Sequence, residues 1–64
     1  MIITLNGEAT TTTAATVEEL VAEVGAPAEG TAVAIDGEVV PRSQWGRKLA
    51  DGCSADILTA VQGG

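Results

Sequence analysis

Histidine, tyrosine and phenylalanine are absent from this chain of 64 residues, which also has one tryptophan and one cysteine. Without histidine, with Cys53 alone and with acids scattered along the sequence, no metal-ligating set can be assembled. One cysteine excludes an intrachain disulfide and fits a reducing compartment. With Trp45 as its one aromatic residue, the core must be built from Ile, Val, Leu and Ala. Bases are scarce too: three Lys and Arg stand against nine Asp and Glu, a formal net charge of −6. Phosphate backbones and anionic membrane surfaces repel such a chain, so nucleic acid and membrane are excluded as partners and a protein with a basic groove is favoured. Nothing approaches the apolar run of about 18 residues needed for a membrane span. The opening Met1–Gly7 has no charged n-region, and its apolar run is too short for a signal peptide. A soluble, cytoplasmic protein is expected.

What is present is enough for one small domain. Hydrophobic residues make up 45% of the chain, too many for compositional disorder, although its length is near the lower limit for an unstapled core. Met1–Leu5 reads as a strand and Asn6-Gly7 as a hairpin turn, because both central residues of a type I′ turn need positive φ. Glu8–Thr13, with its row of threonines, reads as the return strand at a solvated sheet edge. Thr16-Val17-Glu18-Glu19 is a capping box, and Val17, Leu20, Val21 and Val24 recur at helical spacing. With Gly25 at the C′ position and Pro27 beyond it, a helix is predicted over about residues 17–24. Thr31–Ile35 and Glu38–Val40 form strands about the second hairpin signal, Asp36-Gly37, and Pro41 marks the latter strand as short or at an edge. Pro41–Leu49 is expected to be an irregular or single-turn crossover, with Trp45 and Leu49 able to share one helical face and Trp45 covering one end of the core. Asp51-Gly52 is a third turn signal before the final strand, Ile57–Val61.

One helix over one mixed sheet is a two-layer α+β architecture. Period-2 alternation turns Met1, Ile3, Leu5, Val33 and Ile35 toward the helix. The crossover allows the first and last strands to lie side by side and parallel at the centre of the sheet. Leu58 and Ala60 then share one face of the last strand, with Ile57, Thr59 and Val61 on the other. If the helix covers the latter face, Leu58 and Ala60, together with Ala32 and Ala34, form an exposed apolar docking patch. Alternation alone leaves open which face is covered.

The chain finishes on Gly63-Gly64. Two glycines without Cβ atoms suit a terminal carboxylate that is threaded into a partner's narrow channel. Gln62 and Val61 are candidate contacts of that channel, though Val61 could equally just end the strand. No side chain is arranged for catalysis. Cys53, with no histidine beside it in sequence, reads as inert rather than nucleophilic. Arg42, Arg47 and Lys48 read as a solvated surface, and Trp45 as a core lid rather than a ligand platform.

The overall size, the stretch Asp36-Gly37-Glu38-Val39-Val40-Pro41-Arg42-Ser43-Gln44-Trp45 and the ending Leu58-Thr59-Ala60-Val61-Gln62-Gly63-Gly64 resemble the ThiS family of thiamine-pathway sulfur carriers. The likeness runs end to end. It departs at Asp51-Gly52-Cys53, where the family pattern has Asp-Gly-Asp: the turn geometry survives, the second acid does not. The resemblance implies a ubiquitin-like β-grasp over residues 1–64, a mixed four- to five-stranded sheet under one main helix, with a flexible tail at about residues 62–64. It also implies a carrier substrate, not an enzyme, that holds no cofactor. A ubiquitin-activating-enzyme-like adenylyltransferase would use ATP to convert the Gly64 carboxylate to an acyl-adenylate. A sulfur donor from a cysteine desulfurase system would replace AMP, and thiazole synthase would take sulfur from the resulting thiocarboxylate. Gly63, Gln62, Val61, Ala60 and Leu58 would contact partners. The chemistry is consistent: an α-carboxylate of ordinary pKa, about 3.5, is ionised at neutral pH and is a poor acyl electrophile until adenylated. Alternatives are a carrier for molybdopterin or cysteine synthesis, or a ubiquitin-like modifier joined to lysines through Gly64.

Overall fold

A computed structural model of the chain describes residues 1–60. Its elements are β1 (Ile2–Leu5), β2 (Glu8–Thr11), α1 (Val17–Glu23), β3 (Thr31–Ile35), β4 (Glu38–Val40), a single 3₁₀ turn (Arg42–Gln44) and β5 (Ser54–Thr59). They form one five-stranded sheet in the order β2-β1-β5-β3-β4, with α1 on one face. β5 lies between β1, to which it is parallel, and β3, to which it is antiparallel. This is the ubiquitin-like β-grasp, and β2 and β4 take the edges that the threonine run and Pro41 suggest.

Local chemistry accounts for most of these elements. Asn6 and Gly7 have φ of 49° and 85°, and Asp36 and Gly37 have 51° and 83°, as their hairpins require. At the start of α1, Thr16 Oγ1 accepts from the Glu19 amide at 3.2 Å while Glu19 Oε1 accepts from the Thr16 amide at 3.3 Å. The helix ends in a Schellman pair: Ala26 N–H donates to Val21 O and Gly25 N–H to Ala22 O, both at 3.1 Å. Two more first-turn amides are satisfied at long range, Val17 N–H by Arg47 O at 3.1 Å and Glu18 N–H by Trp45 O at 2.9 Å. The crossover is thus tied to the helix it passes, and the Thr16–Lys48 bridge adds to the seam.

The core joins Val17, Leu20 and Val21 of α1 to Ile3, Val33, Ile35, Val40, Ala55 and Ile57 of the sheet, closed by Trp45 and Leu49. Trp45 is buried and donates its indole Nε1–H to Val40 O at 3.2 Å, which makes it the expected lid.

Several expectations are corrected. Val24 continues the helical spacing but caps α1 and is 43% exposed, because a shallow hollow walled by Val24, Pro27, Leu5 and Ile57 lies where a facing side chain would have to be. Met1 is equally exposed: its α-ammonium donates to Thr12 O at 3.0 Å at the sheet's end, where the charge stays hydrated. β2 stops at Thr11, and Thr12 turns inward to 2% exposure, its hydroxyl donating to Glu23 Oε1 at 2.8 Å and accepting from Ala14 N–H at 3.0 Å. Trp45 and Leu49 do not share a helical turn, since the one turn in the crossover is Arg42–Gln44. β5 begins at Ser54, three residues before the predicted Ile57, because Asp36 receives it: Ser54 N–H donates to Asp36 Oδ1 at 2.9 Å and Asp36 N–H to Ser54 O at 2.7 Å.

Candidate functional site

The candidate site is the end of β5 and the sheet face that α1 leaves open. Ala55 and Ile57 are buried against the helix, which resolves the alternation: Asp56 and Leu58 point to the open side. Among the predicted contact residues the structure describes Leu58 and Ala60, both exposed. Val61, Gln62, Gly63 and Gly64 lie outside the described residues.

β5 outruns its parallel neighbour. The paired register of β1 and β5 ends at Leu5–Ala55, after which Asn6 takes over: its N–H donates to Ala55 O at 2.8 Å, and its Oδ1 accepts from Ile57 N–H at 2.8 Å. A side-chain amide thus replaces one rung of the ladder. Beyond Ile57, the strand is held by β3 through the pairs Ala32–Leu58 and Thr31–Thr59. Thr59 Oγ1 lies 3.3 Å from Thr31 Oγ1, whose own proton goes to Pro27 O, so Thr59 is the donor of that pair. The last backbone bond among the described residues is Ala60 N–H to Gly30 O, at 2.7 Å. Gly30 turns the chain at φ +79°, and a Cβ built there would lie 3.9 Å from the Ala60 Cβ.

On the open face, register builds a patch. Leu58 is 71% exposed beside Ala32, and Val39 is 72% exposed beside Ala34, which itself pairs with Asp56. Val39 and Asp56 escape the sequence reading. The signal for Val39 was available, because a two-residue Asp36-Gly37 hairpin fixes Ala34 opposite Val39. Asp56 stands out only once the covered face is known.

The remaining candidates fall where a passive role requires. Cys53 is buried at 4% exposure, and its backbone is occupied in the sheet, Thr4 N–H donating to Cys53 O at 2.9 Å. Arg42, Arg47 and Lys48 are exposed on the crossover. Among the described residues there is no cluster able to hold a metal ion and no helix long and apolar enough to cross a membrane. The geometry offers docking and presentation: an apolar face beside a central strand that runs directly into the C-terminal residues.

Known proteins fit this architecture. The ThiS family model matches residues 3–64. The crystal structure of a thiamine biosynthesis protein (ThiS) from Geobacter metallireducens is 32% identical, with a TM-score of 0.82 and both chains covered in full. A solution NMR structure of a thiamine biosynthesis protein from the same organism, also 32% identical, gives 0.83 and covers all of this chain and 88% of that one. No curated protein sequence matches. With the family pattern spanning all but its first two residues and its fold shared with solved proteins of that name, the chain belongs to the ThiS family.

Proposed function

We propose that this protein is the sulfur carrier for thiazole formation in thiamine biosynthesis, acting in the cytoplasm as a substrate of other enzymes and not as an enzyme itself. The observation that carries the reading is the family match joined to the placement of β5, a central strand anchored on both sides that leads into Gly63-Gly64. A ubiquitin-activating-enzyme-like adenylyltransferase supplies ATP; the Gly64 carboxylate attacks its α-phosphate and pyrophosphate leaves. The terminal sulfur of a persulfide, furnished by a cysteine desulfurase system, then displaces AMP. A thiol cleaves the resulting acyl disulfide, and the thiocarboxylate is left for thiazole synthase. The carrier needs no bound cofactor. Leu58 and Ala60, with Gln62, Gly63 and Val61 beyond them, are the contact residues, and buried Cys53 takes no part.

Intact-mass measurement of the protein purified from its own cells tests this. A fraction with one C-terminal oxygen exchanged for sulfur is expected. Covalent adducts to other proteins would point instead to a modifier, and an unmodified mass under every growth condition would count against both. Adding one residue after Gly64 should abolish sulfur transfer; retained transfer would sink the tail mechanism.

A further inference from the structure

The open face carries a charge that its apolar setting does not explain. Asp56 is exposed on the central strand, one face-repeat of about 7 Å from Leu58, with Ala34 directly opposite and Val39 beyond it. Four carboxylates serve the fold: Glu19 caps α1, Glu23 receives Thr12, Asp36 receives Ser54 and Asp51 receives the Ile2 amide. Glu8, Glu18, Glu29 and Glu38 make no such bond among the described residues, but they lie opposite helix-facing strand positions, on α1 or in a loop, and not on the open face. Asp56 has no such role among the described residues. The three Lys and Arg residues, at positions 42, 47 and 48, all lie on the crossover and none is on a strand of the sheet.

A partner that acts on Gly64 comes within reach of this patch. Gly64 is the fourth residue after Ala60, and four fully extended residues span at most about 14 Å. An interface covers about 800 Å² on each partner, so a footprint that includes Leu58 takes in Asp56 as well. Covering a carboxylate without a counter-charge is costly. A second copy of this chain is a poor occupant, because each carries a formal net charge of −6 and would set its own Asp56 near the other.

We propose that Asp56 is a specificity determinant of the docking face, and that the partner engaging the tail presents a lysine or arginine within an apolar surface, aimed at this carboxylate. The proposal rests on the carrier reading above, with the adenylating enzyme as that partner. Asp56 selects and orients; it takes no part in bond making.

The test is ATP–pyrophosphate exchange catalysed by the adenylating enzyme of the same cells, with wild-type carrier, Asp56→Asn and Asp56→Lys. The neutral variant should raise the KM for carrier about tenfold with kcat unchanged, and the charge reversal should raise it further. Wild-type KM should climb as salt rises from about 0.05 to about 0.3 M, and the neutral variant should show a flatter dependence. Because the side chain is exposed and unengaged, both variants should keep the wild-type thermal midpoint. If Asp56→Lys keeps a KM within about twofold of wild type, with the same salt dependence, the proposal is overturned. Dimerisation of the wild-type chain that Leu58→Glu abolishes would overturn it too, by naming a second copy as the occupant. Absence of exchange with wild-type carrier is a different failure: it removes the carrier reading and this inference with it.

Discussion

At the N-terminus of α1, Thr16 and Glu19 satisfy each other's backbone amides, and Glu19 Oε1 also takes the Ala15 N–H at 2.7 Å. Thr16→Ala removes the acceptor for the Glu19 amide and should cost about 1 kcal/mol. For a domain this small that corresponds to a fall of about 4–8 °C in thermal midpoint, readable by calorimetry. No change would mean that the crossover carbonyls of Arg47 and Trp45 suffice as the cap. Cys53 separates stability from function in the same way. Its side chain is packed in the apolar cluster, so Cys53→Ser places a hydroxyl there and should cost about 1–3 kcal/mol, while thiocarboxylate formation is retained. Loss of sulfur transfer in a folded Cys53→Ser protein would restore the thiol to the mechanism. The capping box was legible because its partners are three residues apart. The inward turn of Thr12 was not: Thr10, Thr11, Thr12 and Thr13 look alike in sequence, Glu23 receives both Thr12 and the exposed Thr13, and only Thr12 also accepts from the Ala14 amide.

Among the elements, β5 depends most on residues distant in sequence. Asn6-Gly7 could be read as a hairpin from two residues, yet the second duty of Asn6, holding Ile57 N–H, joins positions 51 residues apart and leaves no local trace. A separation of 18 residues likewise hid the early start of β5, which Asp36 induces from the opposite hairpin. Asn6→Ala should therefore be worse than an ordinary turn substitution. It strands a half-buried amide, about 1–3 kcal/mol, and puts a Cβ residue of poor αL tolerance at φ 49°, about 1–2 kcal/mol more. Asn6→Asp keeps an acceptor and tolerates that φ, so it should recover most of the loss in urea denaturation. Asn6→Gly tolerates that φ but lacks the acceptor, so recovery by it equal to that of Asn6→Asp would show that the turn conformation, not the bond to Ile57, is what matters. The helix stripe shows the converse limit. Periodicity carried the stripe one residue too far, to Val24, which is the C-cap of α1 and exposed, because the spacing of residues says nothing about whether an opposing surface exists.

For the whole molecule, folding and function divide at the end of β5. Among the described residues the core cluster runs from Ile3 to Ile57, and the last described tether is Ala60 to Gly30, four residues before the chain's final glycine. A protein of this size has little stability to spare, and a terminal group that had to be packed would make each chemical change to it a threat to the fold. A core that stands without the terminus would allow the carboxylate of the proposed carrier to be adenylated, exchanged for a thiocarboxylate and restored while the sheet stays the same. Deleting Gly63-Gly64 should accordingly change stability by less than about 0.5 kcal/mol, a shift of no more than a few degrees. The far-UV spectrum and the fluorescence of buried Trp45 should match those of the full chain. The same deletion should abolish adenylate formation completely, whereas Leu58→Glu, which alters the face and leaves the terminus intact, should weaken it through KM. A deletion that lowered the thermal midpoint by ten degrees or so, well over about 1 kcal/mol for a domain of this length, would place the two glycines inside the folding unit. The strand and its final residues would then have to be treated as one structure.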